Sequence, residues 1–491
     1  MSASDRPSAF EHYRRNLAKR DQDERRILAQ IKRFLECFWG DPTLREALST
    51  RNDPVSLEAC ARSLGLSLNL RDLAPLWEKG ARGAISPQEA EAYPLVQLWR
   101  GWIADLVSLR GALRAQGRTQ EVNPVFDAWR ERQIARCESE LGDMNQVMVH
   151  GVMALELSRG CSVGCPFCGV AAERFQGHWP RTPANAALWR GVLRQAVELF
   201  GPAAQSSVCY WATEPADNPD YPEFLMDFHE VVGELPQTTT TGALKDPAWT
   251  RRLMGSWQER RSLINRFSVL STGVLRKLHQ TFSPEELLEV ELVLHCDGSP
   301  LPKAQAGRNR GLAGGAGEGE AQGLQSTIAC VSGFLVNMPE RSIELITPCH
   351  SSEQWPRGYR VLARENFTDP LGFRAAALSM QERCMATCLR GTDALAFRED
   401  LSFERLDDGF AVSTSFKRYS MTGQDYLPAL GRMIADGRAT TGEAMSACLE
   451  KGADLGAVLS TIETLFERGL LREPLASWGH PPAASAAGSK F

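Results

Sequence analysis

The stretch Met153-Ala-Leu-Glu-Leu157-Ser-Arg-Gly-Cys161-Ser-Val-Gly-Cys165-Pro-Phe-Cys168-Gly169 joins a short apolar run to three cysteines in C-x3-C-x2-C spacing. Met153 to Leu157 reads as a strand, so the cysteines follow its C-terminal end, where α/β folds collect reactive groups. Three thiolates this close can hold a cuboidal iron–sulfur cluster and leave its fourth iron without a protein ligand. Structural zinc is the competing reading; it wants four closed ligands, commonly from two paired C-x2-C knuckles. No second knuckle lies nearby in the sequence, although His178 or Cys209 is a candidate fourth ligand.

Outward from this stretch, short apolar runs alternate with amphipathic helices, the texture of repeated β-α units. Strands are expected at Ser207 to Ala212, near Thr238 to Thr241, at Arg266 to Leu270 and at Val290 to His295. Leu188, Val192, Ala196 and Leu199 form one helical stripe; Phe224, Leu225, Phe228, Val231, Val232 and Leu235 form another. Right-handed crossovers then give an α/β array, closed or partly closed like a barrel. Thr327 to Val336 and Ser342 to Thr347, separated by Met338, Pro339 and Glu340, read as a hairpin.

The flanks differ in kind. Ser8 to Gly142 reads as helical, with Ile27, Leu28, Ile31, Phe34, Leu35 and Phe38 on one face and Leu95, Leu98, Trp99, Trp102, Ile103 and Leu106 on another. Thr422 to Glu473 gives three helices broken at Asp436-Gly437 and Lys451-Gly452, a winged-helix-like pattern. Lys303 to Gly323 is rich in Gly and Ala and reads as a mobile loop. It is a poor phosphate cradle, because no strand leads into it and no Lys-Ser/Thr follows its glycines. The expected plan is a helical domain over residues 1–142, an α/β core over 143–400, a winged-helix-like module over 401–475 and a disordered tail over 476–491.

Composition limits the class. The chain has 491 residues, beyond the roughly 250 to 300 at which a single core stops growing. Hydrophobic residues at 43% and charged residues at 23% exclude a disordered or fibrous chain. Lys+Arg at 55 against Asp+Glu at 60 leaves a net charge of −5, which argues against nucleic acid as partner. No run approaches the ~20 apolar residues of a membrane span, and the charged start lacks the apolar core of a signal peptide. The expectation is a cytoplasmic protein with no membrane partner. Its 13 cysteines then stay reduced, and clustered ones signify metal or chemistry.

The triplet, with Phe167 before its third cysteine, resembles the radical S-adenosylmethionine (SAM) superfamily. The resemblance implies a partial (β/α) barrel, one 4Fe-4S cluster on Cys161, Cys165 and Cys168, and S-adenosyl-L-methionine as cosubstrate, cleaved to a 5′-deoxyadenosyl radical. Ala212-Thr213-Glu214-Pro215 looks like the superfamily's Gly-Gly-Glu-Pro stretch that binds the SAM amino group. Ala212 and Thr213 replace the glycines, while Glu214 keeps the carboxylate. By the same resemblance Phe167, Thr241 and Ser268 are further cofactor contacts, Thr241 within Thr238-Thr-Thr-Thr-Gly242 and Ser268 on the following strand.

The span from about Met153 to Arg390, including GFLVNMPERSIELITPCHSSEQWPRGY, resembles radical SAM maturases of ribosomally made peptides, in particular epimerases acting on proteusin-type precursors. That implies conversion of L- to D-residues in a precursor peptide, with a reductant such as flavodoxin or ferredoxin as second partner. Inversion needs a hydrogen atom returned to the opposite face of a Cα radical, and a thiol is a suitable donor. Cys349, after an expected strand and Pro348, is the first candidate. Cys384 is the alternative; it and Cys388 are expected on one face of a helix. The remaining cysteines read as small buried hydrophobes. The other readings are a maturase that crosslinks or excises, and a zinc-stabilised peptide-binding protein without turnover.

Overall fold

The computed structural model describes residues 9–50, 53–78, 86–260, 262, 264–299, 303–310 and 327–474. Residues 311–323 of the Gly-rich stretch and the tail from 475 lie outside the described residues, and so do the expectations of mobility and disorder there; residues 303–310, expected as part of the same mobile loop, are described and hold a short turn, Gly307–Asn309.

Eight helices come first: α1 Ala9–Lys19, α2 Gln22–Gly40, α3 Pro42–Thr50, α4 Pro54–Ser63, α5 Ala74–Glu78, α6 Pro87–Ala92, α7 Pro94–Gln116 and α8 Pro124–Leu141. The α/β part follows with β1 Gly151–Glu156, β2 Ser158–Arg159, β3 Gly177–His178, α9 Pro183–Phe200, α10 Tyr221–Val232, β4 Thr239–Thr240, α11 Pro247–Glu259, β5 Asn265–Val269, α12 Thr272–Thr281 and β6 Val290–Leu294. It continues through β7 Val331–Asn337, β8 Ser342–Pro348, β9 Tyr359–Asn366 and α13 Pro370–Cys384. The last part holds β10 Ser402–Leu406, β11 Gly409–Ser413, β12 Arg418–Thr422, α14 Leu427–Asp436, α15 Thr441–Leu449 and α16 Leu455–Glu467.

One local device starts many of these helices. At Asp53-Pro54, Asn123-Pro124, Thr182-Pro183, Asp246-Pro247 and Asp369-Pro370 the first side chain accepts from a backbone N–H of the first turn and the proline opens the helix. The cap satisfies a donor the helix cannot, and proline lacks the N–H that would be orphaned there.

The sheets form an open, mixed α/β array. β1 pairs with β7 in parallel, and β7, β8 and β9 continue antiparallel. On the other side Val208 bridges Ala154 and Gln237 in parallel, which links β1 to the parallel sheet β4-β5-β6. Among the described residues no ladder closes β6 onto β9, so no closed barrel is present. Val208 makes only isolated bridges where a strand over 207–212 is expected, and the expected hairpin is β7–β8.

Side chains alternate across the array. Met153, Leu155, Phe267, Val269, Leu292 and Leu294 pack outward with Trp189, Phe224 and Phe228 in a core under α9 and α10. Ala154, Val208, Leu335 and Ile346 pack on the other, inner face with Trp211 and Tyr359. The N-terminal helices have their own apolar clusters, one joined to the α/β part through Leu288. A further core, from Leu395 and Phe397 to Leu471, unites β10–β12 with α14–α16. The three expected C-terminal helices are thus preceded by an antiparallel sheet, order β10-β11-β12. No helix among the described residues is long and apolar enough to cross a membrane.

Candidate functional site

β1 delivers the chain to its C-terminal end at Glu156, a carboxylate on the inner face. Glu156 Oε1 accepts from Ala212 N at 2.7 Å and Oε2 from Asn337 Nδ2 at 2.9 Å. Burial outweighs both donors and pushes this carboxyl up to about 7. Glu156 therefore ties the ends of β1 and β7 to the 212–214 loop.

The cysteine loop departs immediately beyond. Gly160 has φ +70°, and a Cβ there would stand 2.3 Å from the Arg174 carbonyl oxygen, so only glycine lets the loop cross residues 173–174 this closely. Cys161 N donates to Glu173 O at 2.9 Å and Cys168 N to Cys165 O at 3.3 Å. The three cysteines are half-buried. Cys165 is pushed up to about 11 by burial and then by Cys168 and Cys161, so the thiols feel one another's charge. Cys161 is raised by burial and, less, by Glu214 and Asp217.

Glu214 faces this loop from the turn after Val208. It is 2% exposed; Oε1 accepts from Ala216 N at 3.0 Å and from the Thr240 hydroxyl, and Oε2 from Thr241 N at 2.8 Å. Burial raises its pKa against these donors, and Asp217 adds to the rise. Burial and Asp217 both disfavour the ionised carboxylate, so a ligand ammonium here would be favoured by charge. Thr241 is thus joined to Glu214, but through its backbone N–H. Thr213 is half-buried beside them, and Ser268 shares the inner face of β5 with Arg266. The Phe167 ring lies 5.2 Å from His295, just past β6, with Lys303 Nζ 4.7 Å from its centroid. Burial, then Lys303, hold His295 down at about 4.

A polar latch closes one flank. Asp217 accepts from Ser162 N at 2.8 Å and Ser162 Oγ at 2.5 Å, and Lys245 Nζ donates to Asp217 Oδ1 at 2.8 Å. Sequence reading missed Glu156, Asp217, Lys245 and His295. Only Glu156 carried a signal, a charge inside an otherwise apolar strand.

The candidate hydrogen donors lie elsewhere. Cys349 is buried and pushed up to about 12 by burial and then by Glu140, against Arg136 and Arg360, with Cys137 nearby. These neighbours belong to α8 and β9. Ile346 pairs with Gly333, so Pro348 lies level with Val331, the partner of Gly151 where β1 begins. The cysteine loop leaves the other end of β1, about 17 Å away at the rise of an extended strand. Cys384 is the last residue of α13, on the outer core, and Cys388 is exposed beyond the helix, so the two do not share a helical face. Cys330, read from sequence as a packing residue, adjoins the same inner cluster as Cys168 and Tyr210.

Among the described residues no three His, Cys, Asp or Glu side chains form a group that could hold a metal ion as they stand. His178 is exposed in the β2–β3 ribbon, and Cys209 is buried with its carbonyl accepting from Tyr221 Oη. The donor set that could hold a cluster is the triplet: three half-buried thiols on one loop, which bound iron would take as thiolates.

No family model matches the sequence, and no solved structure does. Over 471 residues, 95% of this chain and 91% of the relative, it is 39% identical to the uncharacterized protein y4wI of Sinorhizobium fredii. The chain belongs to that protein's family. The shared length takes in the helical, α/β and C-terminal parts together.

Proposed function

We propose that this protein is a radical SAM peptide epimerase, built on a partial (β/α) barrel, that converts L-residues of a ribosomally made precursor peptide to D-residues. The reading rests on one juxtaposition, a C-x3-C-x2-C loop at the end of β1 facing the buried Glu214 carboxylate. Cys161, Cys165 and Cys168 would hold a 4Fe-4S cluster, Glu214 would take the methionyl ammonium of SAM, and Phe167, whose ring lies 5.2 Å from that of His295, would contact the cofactor. When bound and given one electron by a flavodoxin or ferredoxin, cluster and SAM together would supply a 5′-deoxyadenosyl radical able to remove hydrogen from Cα. A cysteine S–H then gives its hydrogen atom to the opposite face, and the sulfur is restored by one electron from a flavodoxin or ferredoxin and one proton.

Cys349 remains the donor expected from sequence, with Cys384 the alternative. The inner position of Cys330 favours it as a third candidate. Anaerobic turnover in deuterated water with a co-expressed precursor decides the chemistry. Exchanged thiol should place deuterium at the inverted Cα, and unlabelled D-residues would reject thiol return. The donor is whichever of Cys349→Ala, Cys330→Ala and Cys384→Ala still forms 5′-deoxyadenosine but no D-residue. A product of altered mass would instead select a crosslinking or excising maturase. Zinc without iron or sulfide would select a peptide-binding protein.

A further inference from the structure

The flank of the cysteine loop opposite the Asp217 latch is held by a short turn, Gly307–Asn309. Arg308 lies there with its backbone N–H and both ends of its guanidinium directed at the loop. Its N–H donates to Cys168 O at 3.0 Å, Nη1 to Cys165 O at 2.9 Å, and Nη2 to Ala172 O. One residue thus takes three carbonyls from an eight-residue segment that carries two of the three thiols. Gly307, at φ +58°, makes the approach possible: a Cβ there would stand 2.3 Å from Cys168 O and 2.5 Å from Gly169 O. Its own N–H donates to Pro356 O at 2.7 Å, which anchors the turn on the loop after β8.

A carbonyl-to-guanidinium clamp of this kind does more than cover the loop. It fixes the backbone bearing Cys165 and Cys168 without engaging either sulfur. It also puts a full positive charge, which arginine cannot lose, against the loop. Arg is suited to this because its planar fork reaches two acceptors at once, which a lysine ammonium on a flexible stem does not hold with the same geometry.

We propose that Arg308 is the positioning residue of the cysteine triplet, presetting the loop before any cluster is bound and setting the charge environment of the cluster once it is. The second half rests on the cluster reading given above; the first does not. The test uses the full chain with Arg308→Gln, Arg308→Lys and Gly307→Ala. In the apo protein, amide hydrogen exchange over residues 161–172 should quicken about tenfold or more in Arg308→Gln and Gly307→Ala and less in Arg308→Lys, with melting little changed. After anaerobic reconstitution, the cluster potential should become more negative in Arg308→Gln, since a lost positive charge disfavours the reduced state, and stay near the wild-type value in Arg308→Lys. Unchanged exchange in both Arg308→Gln and Gly307→Ala overturns the preset loop. Equal potentials in wild type and Arg308→Gln overturn the charge role. If wild-type protein takes up no iron, the cluster reading and the charge role fall together, while exchange still decides the clamp.

Discussion

Two regions of the molecule gather cysteines and charges, and they do so in opposite ways. At the corner where α8 meets the end of β8, Cys137 and Cys349 are buried among Arg136, Glu140 and Arg360. Arg136 Nη1 bonds Glu140 Oε1 at 2.7 Å, and its Nη2 donates to Thr347 Oγ1 at 3.0 Å and Pro348 O at 2.8 Å. Cys137 Sγ donates to Pro348 O at 3.2 Å. The thiols there are part of the packing. In the cysteine loop the backbone is tied at Ser162 and again at Cys165, Cys168 and Ala172, while the sulfurs stay half-buried and Cys168 and Cys161 raise the pKa of Cys165. What separates the two is access: the corner's thiols are enclosed with Glu140 and its arginine partners, whereas the loop's sulfurs are partly exposed.

Substitution within the loop is the largest expected break in that comparison. Cys165→Ala should abolish iron–sulfide absorbance and 5′-deoxyadenosine formation outright. Unfolding in denaturant should move by less than about 1 kcal/mol, since the side chain is half-buried. A variant that unfolds instead would make the loop a packing element like the corner. The converse is Glu140→Gln, which leaves Arg136, Arg360 and Arg398 facing a neutral amide. Breaking a buried pair costs roughly 3–5 kcal/mol, and Arg136 and Glu140 side chains are each 3% exposed. Denaturant midpoints should fall accordingly, with iron per folded chain unchanged. Loss of iron in the folded fraction would couple the two regions.

Much of the frame was legible. Apolar runs located β1, β5, β6 and the β7–β8 hairpin, and polar breaks located α14–α16, because those elements bury one clear face. β9 escaped because Arg360, Arg364 and Glu365 interrupt its apolar residues, and β10 and β12 because polar and exposed positions interrupt short edge strands. The cysteine loop was legible from spacing alone. Arg308 was not, since three carbonyls of a distant loop leave no mark on the sequence that binds them. The distance of Cys349 from the cysteine loop was likewise hidden: Pro348 does end a strand, but β8 runs antiparallel to β7, so its C-terminal end lies where β1 begins.

The smallest expected effect sharpens the comparison at Glu156, which stands between the two regions on the inner face and is 6% exposed. Its folded pKa, raised to about 7 chiefly by burial, lies above the roughly 4.3 of a free glutamate. The folded state therefore prefers the protonated acid. That preference contributes fully below the unfolded value and is lost as pH rises through about 7. A shift of this size corresponds to roughly 3.5 to 4 kcal/mol as an upper bound. Wild-type stability from denaturant titration should fall between about pH 5 and pH 8. Glu156→Gln, whose amide oxygen can still accept from Ala212 N, should flatten that part of the curve and be the more stable protein at pH 8. Parallel curves for the two proteins would mean that Glu156 stays ionised in the fold. The inner face would then hold a cation's worth of compensation at the end of β1, and the contrast with the ion-paired corner would narrow to the three thiols themselves.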